Sequence, residues 1–319
     1  MKLINFTRTG LLVISLLLGL VSCKNDDNGG IAPIPARDRD EQQKADKDSI
    51  IAYLDSHYYN SSYFDGSNPD ASSKDLVITE LMEGEDVPEG HRLLASDTII
   101  RKATFADTSY EIWYIDLNDK KNDPEPSPTF ADNVLVTYEG FKFDGEVFDS
   151  TINPVNFDLL ELIPGWRKVL PNFKVAEGYV ENEDGTVSYQ NHGVGVMFIP
   201  SGLAYFSSGQ GIIDAYEPIN FKFDLLQKYE NDHDNDNVPS YKEDLNGDGE
   251  FTLNSSPDVM DGDDTDNDRT PDFADNDDDG DGVPTINEDI DKDGDPTNDI
   301  GKNGIPKYLD PEETESNGL

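Results

Sequence analysis

Four short strings hold the side chains best suited to chemistry: Val147-Phe148-Asp149-Ser150, Leu162-Ile163-Pro164-Gly165-Trp166, Leu203-Ala204-Tyr205-Phe206 and Phe221-Lys222-Phe223. They combine aromatic and aliphatic residues with one carboxylate. Their spacing suits a small β-sheet closed around an apolar pocket. Pocket chemistry of this kind, and not a nucleophile or a metal, is where the function of this part is expected. The rest of the chain offers no competing constellation. It has four histidines, one cysteine (Cys23) and no glycine-rich phosphate loop.

A second chemistry lies C-terminal to the first. Acids recur as D-x-D/N-x-D-G/N with a further acid at the twelfth position. The units are Asp232, Asp234, Asp236 and Glu243; then Asp244, Asn246 and Asp248, with Ser255 in place of the acid. Next come Asp264, Asp266, Asp268 and Asp275, then Asp277, Asp279, Asp281 and Glu288, then Asp289, Asp291 and Asp293. A degenerate unit follows at Asp299, Asn303 and Asp310. Alternate carboxylates converge on one side, glycine permits the sharp turn, and the distant acid closes the shell. Hard oxygen ligands in this number suit Ca²⁺, which takes six to eight, better than Mg²⁺. Proline at the eighth position of four units (Pro239, Pro271, Pro284, Pro306) argues against paired EF-hands. The stretch resembles the calcium-binding repeats of thrombospondin type 3, in which chain wraps around a line of ions in place of a hydrophobic core.

Composition narrows the partners. The chain of 319 residues carries 24 Lys and Arg against 67 Asp and Glu, a formal net charge of −43. Residues 230–319 contribute 30 acids against 5 bases. Such a field repels nucleic acid and attracts cations. A lone cysteine excludes an internal disulfide. Residues 1–22 read as a secretory leader, with Lys2 and Arg8 before the apolar run Gly10–Leu20. Leu20-Val21-Ser22-Cys23 resembles a bacterial lipobox, which implies cleavage before Cys23 and lipid on that residue. The acidic run after it resembles the surface-export signals of Bacteroidetes lipoproteins. The expected setting is the bacterial cell envelope, as a surface-exposed outer-membrane lipoprotein.

The elements that must position the first constellation are mostly strands. Residues 23–44 read as a tether and about Ala45 to His57 as a short helix, with Ile50, Ile51 and Leu54 on one face. Strands are expected at 76–81, 98–105, 110–117, 133–143, 194–200 and 219–229. Asp144-Gly145 marks a hairpin, a second Asp-Gly turn lies within 177–193, and a short helix runs from Pro164 to about Leu170, ended by Pro171.

The strings, in the order VTYEGFKFDGEVFDS, ELIPGW, VMFIPSGLAYF, GII and INFKFDLL, resemble the FKBP-type peptidyl-prolyl isomerases over about residues 108–229. The resemblance implies a half-open antiparallel sheet around one helix, with a cleft for a proline ring. It implies Trp166 as the floor and Tyr138, Phe148 and Phe221 as walls. The Ile163 N–H and the Tyr205 hydroxyl would bond substrate carbonyls, and Asp149 would set the polarity. Leu162, Val155, Ile212 and Ile213 complete the implied lining. Three departures stand out: Val155 where an aromatic is common, Phe206 where glycine is usual, and a shortened stretch after Asp149 without the family's basic residue.

The expected fold is α+β, mostly β. Residues 1–22 are the leader and 23–44 the tether. Residues 45–107 pack on the FKBP-type domain 108–229, and 230–319 form an extended calcium-binding tail. The expected function is prolyl isomerisation of proline-containing clients among exported proteins, with no cofactor for catalysis. The alternative is a non-catalytic FKBP-like binding or chaperone lipoprotein whose Ca²⁺-ordered tail makes surface contacts.

Overall fold

The computed structural model describes residues 36–66, 68, 71–120, 124–256 and 259–318. The leader, Cys23 and most of the tether lie outside them. From Arg37 onward the chain forms one unit.

Helix α1 (Arg39–Ser56) starts six residues earlier than Ala45, so part of the expected tether is helical. Asp38 caps it, accepting from the Glu41 N–H at 3.0 Å, and Asp40 and Glu41 favour its positive end. Its first turns bury Gln42, Gln43 and Asp46, which apolar periodicity cannot detect. Strands β1 (His57–Tyr59), β2 (Ile78–Glu80) and β3 (Arg92–Leu93) form a small sheet, followed by the single-turn helix α2 (Leu94–Asp97). The expected strand at 76–81 shrinks to β2 because a boxed 3-10 turn at Ser73–Asp75 runs into Leu76, which is buried.

The main sheet follows. Its strands are β4 (Ile99–Phe105), β5 (Thr108–Asp116), β6 (Asn133–Phe141), β7 (Val147–Asp158), β10 (Gly193–Ile199) and β11 (Ile219–Tyr229). A separate hairpin comprises β8 (Gly178–Glu181) and β9 (Val187–Gln190). The main sheet is antiparallel throughout, in the order β4-β5-β10-β11-β6-β7. At the β6–β7 turn Gly145 has φ +83° and its N–H donates to the Lys142 carbonyl. The stretch after Asp149 is strand throughout. Pro154 is tolerated there because β7 is an edge.

Period-2 alternation sorts the core onto two faces. On one, Tyr110, Ile112, Met197, Ile199, Phe221 and Phe223 pack against helix α3 (Pro164–Val169). On the other, Trp113, Ile115, Val194, Val196 and Phe198 meet Ile50, Tyr53 and Leu54 of α1 and Leu76 and Leu94. Every residue of β10 is therefore buried. Pro171 does not end the helical path, which continues as a 3-10 turn over Leu170–Asn172.

Beyond β11 the path is irregular. Among the described residues five 3-10 turns recur, at Ser240–Lys242, Asp272–Ala274, Thr285–Asn287, Pro296–Asn298 and Lys307–Leu309. Pro239, Pro271, Pro284 and Pro306 each open one. Among the described residues no helix is long and apolar enough to cross a membrane.

Candidate functional site

The first constellation converges beside α3. Trp166 is buried, with its ring centroid 5.0 Å from Phe221, 5.7 Å from Phe223 and 5.8 Å, edge-on, from Tyr138. Phe148 meets Phe221 edge-on at 5.4 Å. Gly140 makes this close approach possible. A Cβ there would lie 2.5 Å from Phe148 and 2.7 Å from Phe221. Val155, Leu162, Ile163 and Tyr205 pack half-buried around the same cluster, and Ile213 is buried in it. Ile212 does not join them: it is 46% exposed, against 4% for Ile213. Phe157, which the sequence reading passed over, does join, 5.7 Å from Tyr138. It stands two residues after Val155 on the same face of β7, so it supplies the aromatic that Val155 lacks. Strand alternation was the signal that could have found it.

The polar edge of the cleft is small. The Tyr138 hydroxyl donates to Asp149 Oδ2 at 2.6 Å. Burial, then this carboxylate, push the Tyr138 hydroxyl far above its ordinary range. Burial and the same carboxylate also raise Tyr205, so Asp149 lies electrostatically close to both hydroxyls. Ile163 is the residue before the first turn of α3. Its N–H has no acceptor among the described residues.

Tyr205 sits on a loop held under strain. Phe206, at the position where glycine is usual, has φ +43°. A non-glycine residue there costs about 1–2 kcal/mol and persists only when its surroundings hold it. Helix α1 does so. Arg39 places its guanidinium 4.2 Å from the Phe206 ring centroid and donates to the Tyr110 hydroxyl and the Gly202 carbonyl, both at 3.0 Å. Asp46 Oδ2 accepts from the Ser201 N–H at 2.8 Å and hydroxyl at 2.7 Å. The Tyr216 N–H donates to the Phe206 carbonyl, and the two rings meet edge-on at 5.1 Å. Neither Arg39 nor Asp46 carries a local sequence signal for this role.

Among the described residues, the acidic tail gathers carboxylates in four places. Asp264, Asp266 and Asp268 form one group, Asp277, Asp279 and Asp281 a second, and Asp289, Asp291 and Asp293 a third, each with oxygens within 4.8 Å of one another. The fourth joins Asp234, Asp236 and Glu243 to Asp278. Asp278 was not among the expected ligands. Asp232, expected as the first ligand, accepts from the N–H groups of Asn235, Asp236 and Asn237 and lies beside Asp234 without joining the group, and Asp275 also stands outside these groups. Asp244 likewise accepts from the Asp248 and Gly249 N–H groups, Asp248 from Glu250, and Asn246 donates to the Asp261 carbonyl. Glu288 is buried with both oxygens unpartnered, close to the Asp277 group. Burial, compounded by neighbouring carboxylates, pushes Asp234 up to about 8, Glu243 to about 10 and Glu288 to about 9. A bound dication would remove that penalty, since it neutralises the cluster.

Residues 125–226 match the family model of FKBP-type peptidyl-prolyl cis-trans isomerases, and residues 233–296 match the model of the BamM C-terminal region. The peptidyl-prolyl cis-trans isomerase Mip of Coxiella burnetii is 32% identical over 104 residues, which is 31% of this chain and 38% of the relative. The probable FKBP-type isomerase FkpA of Neisseria meningitidis is 37% identical over 87 residues, 26% of each chain. FkpA of Aeromonas hydrophila is 31% identical over 114 residues, 35% of this chain and 37% of the relative. The chain thus spans between a quarter and two fifths of the length of these curated relatives. Among solved structures, a peptidyl-prolyl isomerase of Pseudomonas syringae is 27% identical over 37% of this chain and 76% of its own, with a TM-score of 0.30. FkpA of Escherichia coli is 25% identical over 40% and 51%, also at 0.30.

Proposed function

We propose that residues 108–229 catalyse cis-trans isomerisation of X–Pro bonds in exported polypeptides. The observation that supports this reading is the aromatic cluster around Trp166, with the Tyr138–Asp149 pair and the unengaged Ile163 N–H at its edge. Rotation of an X–Pro bond is slow because amide resonance must be broken, a barrier of about 18–20 kcal/mol. The twisted amide has less charge separation than the planar one. A dry aromatic cleft therefore favours the twisted form relative to the planar form. The Ile163 N–H and the Tyr205 hydroxyl hold substrate carbonyls while Trp166 seats the ring. Each 1.36 kcal/mol removed from the barrier is worth about tenfold in rate. The chemistry needs no covalent intermediate.

The wider reading is an envelope lipoprotein anchored at Cys23, with a Ca²⁺-ordered tail of thrombospondin type 3-like character. What supports the tail reading is the set of buried carboxylate oxygens without a hydrogen-bond partner, including both of Glu243, Asp278 and Glu288.

A protease-coupled assay with a proline tetrapeptide and the full chain tests the activity. A rate no better than the uncatalysed one would reject it in favour of a binding module. Calorimetry with Ca²⁺ tests the tail, and an absence of saturable heat would return it to a solvated acidic extension. Labelling with radioactive palmitate tests the anchor: label should enter the wild type and not Cys23→Ala.

A further inference from the structure

We infer that the first cation site of the tail is built across repeats, by Asp234, Asp236, Glu243 and Asp278, and that its occupancy steadies the helix carrying the cleft floor. This rests on the calcium reading of the tail and adds both a ligand and a consequence to it.

The site differs from an ordinary acidic cluster. Glu243 and Asp278 are 0% and 1% exposed, and all four of their carboxylate oxygens lack a hydrogen-bond partner among the described residues. Asp236 is fully buried and has one unpartnered oxygen, while its other accepts from the Val238 N–H at 2.7 Å. Both oxygens of Asp234 are unpartnered. Buried carboxylates without donors are strongly disfavoured unless paired or coordinated, and oxygen-only ligation of this charge selects a hard divalent cation. Three ligands come from one repeat and one from a later repeat, so the ion would close a loop of chain and not merely decorate a turn. Asn276, two residues before Asp278, already reaches across, donating to the Asp234 carbonyl at 2.6 Å.

The site lies between two contacts with the domain that carries the cleft. Immediately before Asp234, His233 pairs with Asp158 at 2.9 Å, at the end of β7 and the start of the segment leading to Leu162 and Ile163. After Glu243, the next loop brings Glu250 to Arg167 at 2.5 Å and to Lys168 at 2.7 Å. These two residues directly follow Trp166 on α3. Lys168 also donates to the Gly249 carbonyl at 2.9 Å. A run of rings joins the same surfaces: Phe130 to Phe251 at 5.2 Å, Phe251 stacked on Phe273 at 4.1 Å, and Phe273 to His233 at 5.5 Å. Phe273 belongs to the turn at Asp272–Ala274, shortly before Asp278, so the stacking ring and the cross-repeat ligand lie on one stretch of chain.

The test uses the full chain and Ca²⁺. In calorimetric titration, Asp278→Asn and Glu243→Gln should each lose the same single site, with an affinity loss of about tenfold or more, and the double variant should lose no further site. Hydrogen exchange should show protection of α3 rising with Ca²⁺ in the wild type. Isomerase kcat/KM should rise about fivefold or more, the scale of a site-to-site coupling. Glu250→Ala should keep every calcium site yet show neither the protection nor the rate increase. An unchanged titration in a folded Asp278→Asn would overturn the cross-repeat site. Should Asp278→Asn not fold, Glu243→Gln and Glu250→Ala still decide. Calcium that binds normally but leaves α3 protection the same in wild type and Glu250→Ala would overturn the coupling. Absence of any saturable binding would fell the calcium reading itself, and no wild-type isomerisation with intact α3 protection would fell only the activity.

Discussion

The cleft domain and the tail are stabilised by opposite means. In the cleft domain, strand alternation buries apolar side chains on both faces of one sheet, and β10 has no exposed residue. In the tail, the buried groups are mostly carboxylates: Asp236, Glu243, Asp263, Asp272, Asp278 and Glu288 against a few apolar residues such as Val238 and Tyr308. Many of its carboxylates cap local turns by accepting backbone N–H groups, while others are left facing one another. Water exclusion organises the first region. On the proposed calcium reading, counter-charge organises the second, because apolar burial on this scale cannot offset chain entropy. The two meet at α3, whose inner residues Trp166 and Val169 join the core while Arg167 and Lys168 bind a tail carboxylate.

The sharpest way to break this contrast is to attack each region with the other's weapon. Trp166→Ala should destabilise the cleft domain by about 3–5 kcal/mol and abolish isomerisation, while calcium stoichiometry in calorimetry stays unchanged. Chelation should do the reverse. Excess EDTA should strip hydrogen-exchange protection from residues 232–310 while β5, β10 and β11 stay protected, since none of their contacts needs an ion. Loss of protection in those strands would erase the distinction.

A smaller effect tests the N-terminal clamp. Asp46→Ala leaves the Ser201 donors unpaired and should cost about 1–3 kcal/mol in urea unfolding. It should also raise KM more than it lowers kcat, because it releases the loop that carries Tyr205. Arg39→Ala should share the kinetic signature. Equal loss of stability without a KM change would make the clamp purely structural.

The smallest effect is electrostatic. Asp224 on β11 is buried, which raises its carboxyl. Donors from His192, Ser73 and Thr137 outweigh burial and leave it below the ordinary carboxylate value. Its folded pKa is depressed, so its contribution is full above the ordinary carboxylate range and is lost as pH falls through the lower folded value. Acid unfolding monitored by near-ultraviolet circular dichroism should therefore begin below that range. In Asp224→Asn this part of the pH dependence should vanish.

Much of the cleft could be read in advance because its signals are local. Alternation at 194–200 and 219–229, the Asp144-Gly145 turn and Pro164 at a helix start each depend on neighbours within a few residues. The aromatic order then follows from strand order. What escaped was non-local. Gln42, Gln43 and Asp46 are polar, so periodicity placed the start of α1 too late. Ile212 and Ile213 looked equivalent, and only the fold turned one outward. Phe157 went unnoticed because its contribution depends on β7 resuming its pairing with β6 beyond the register shift around Pro154.

The sequence by itself determined the strand period, the order of the cleft residues, and acids spaced so that they must face one another around turns. Tertiary structure alone decided that Arg39 holds Phe206 at positive φ, that Asp278 joins Asp234, Asp236 and Glu243, and that Glu250 reaches α3. The reason is physical. Backbone preference and turn chemistry act over a few bonds and are written in adjacent residues. The convergence of charges and the support of a strained loop depend on where distant segments of the chain come to rest.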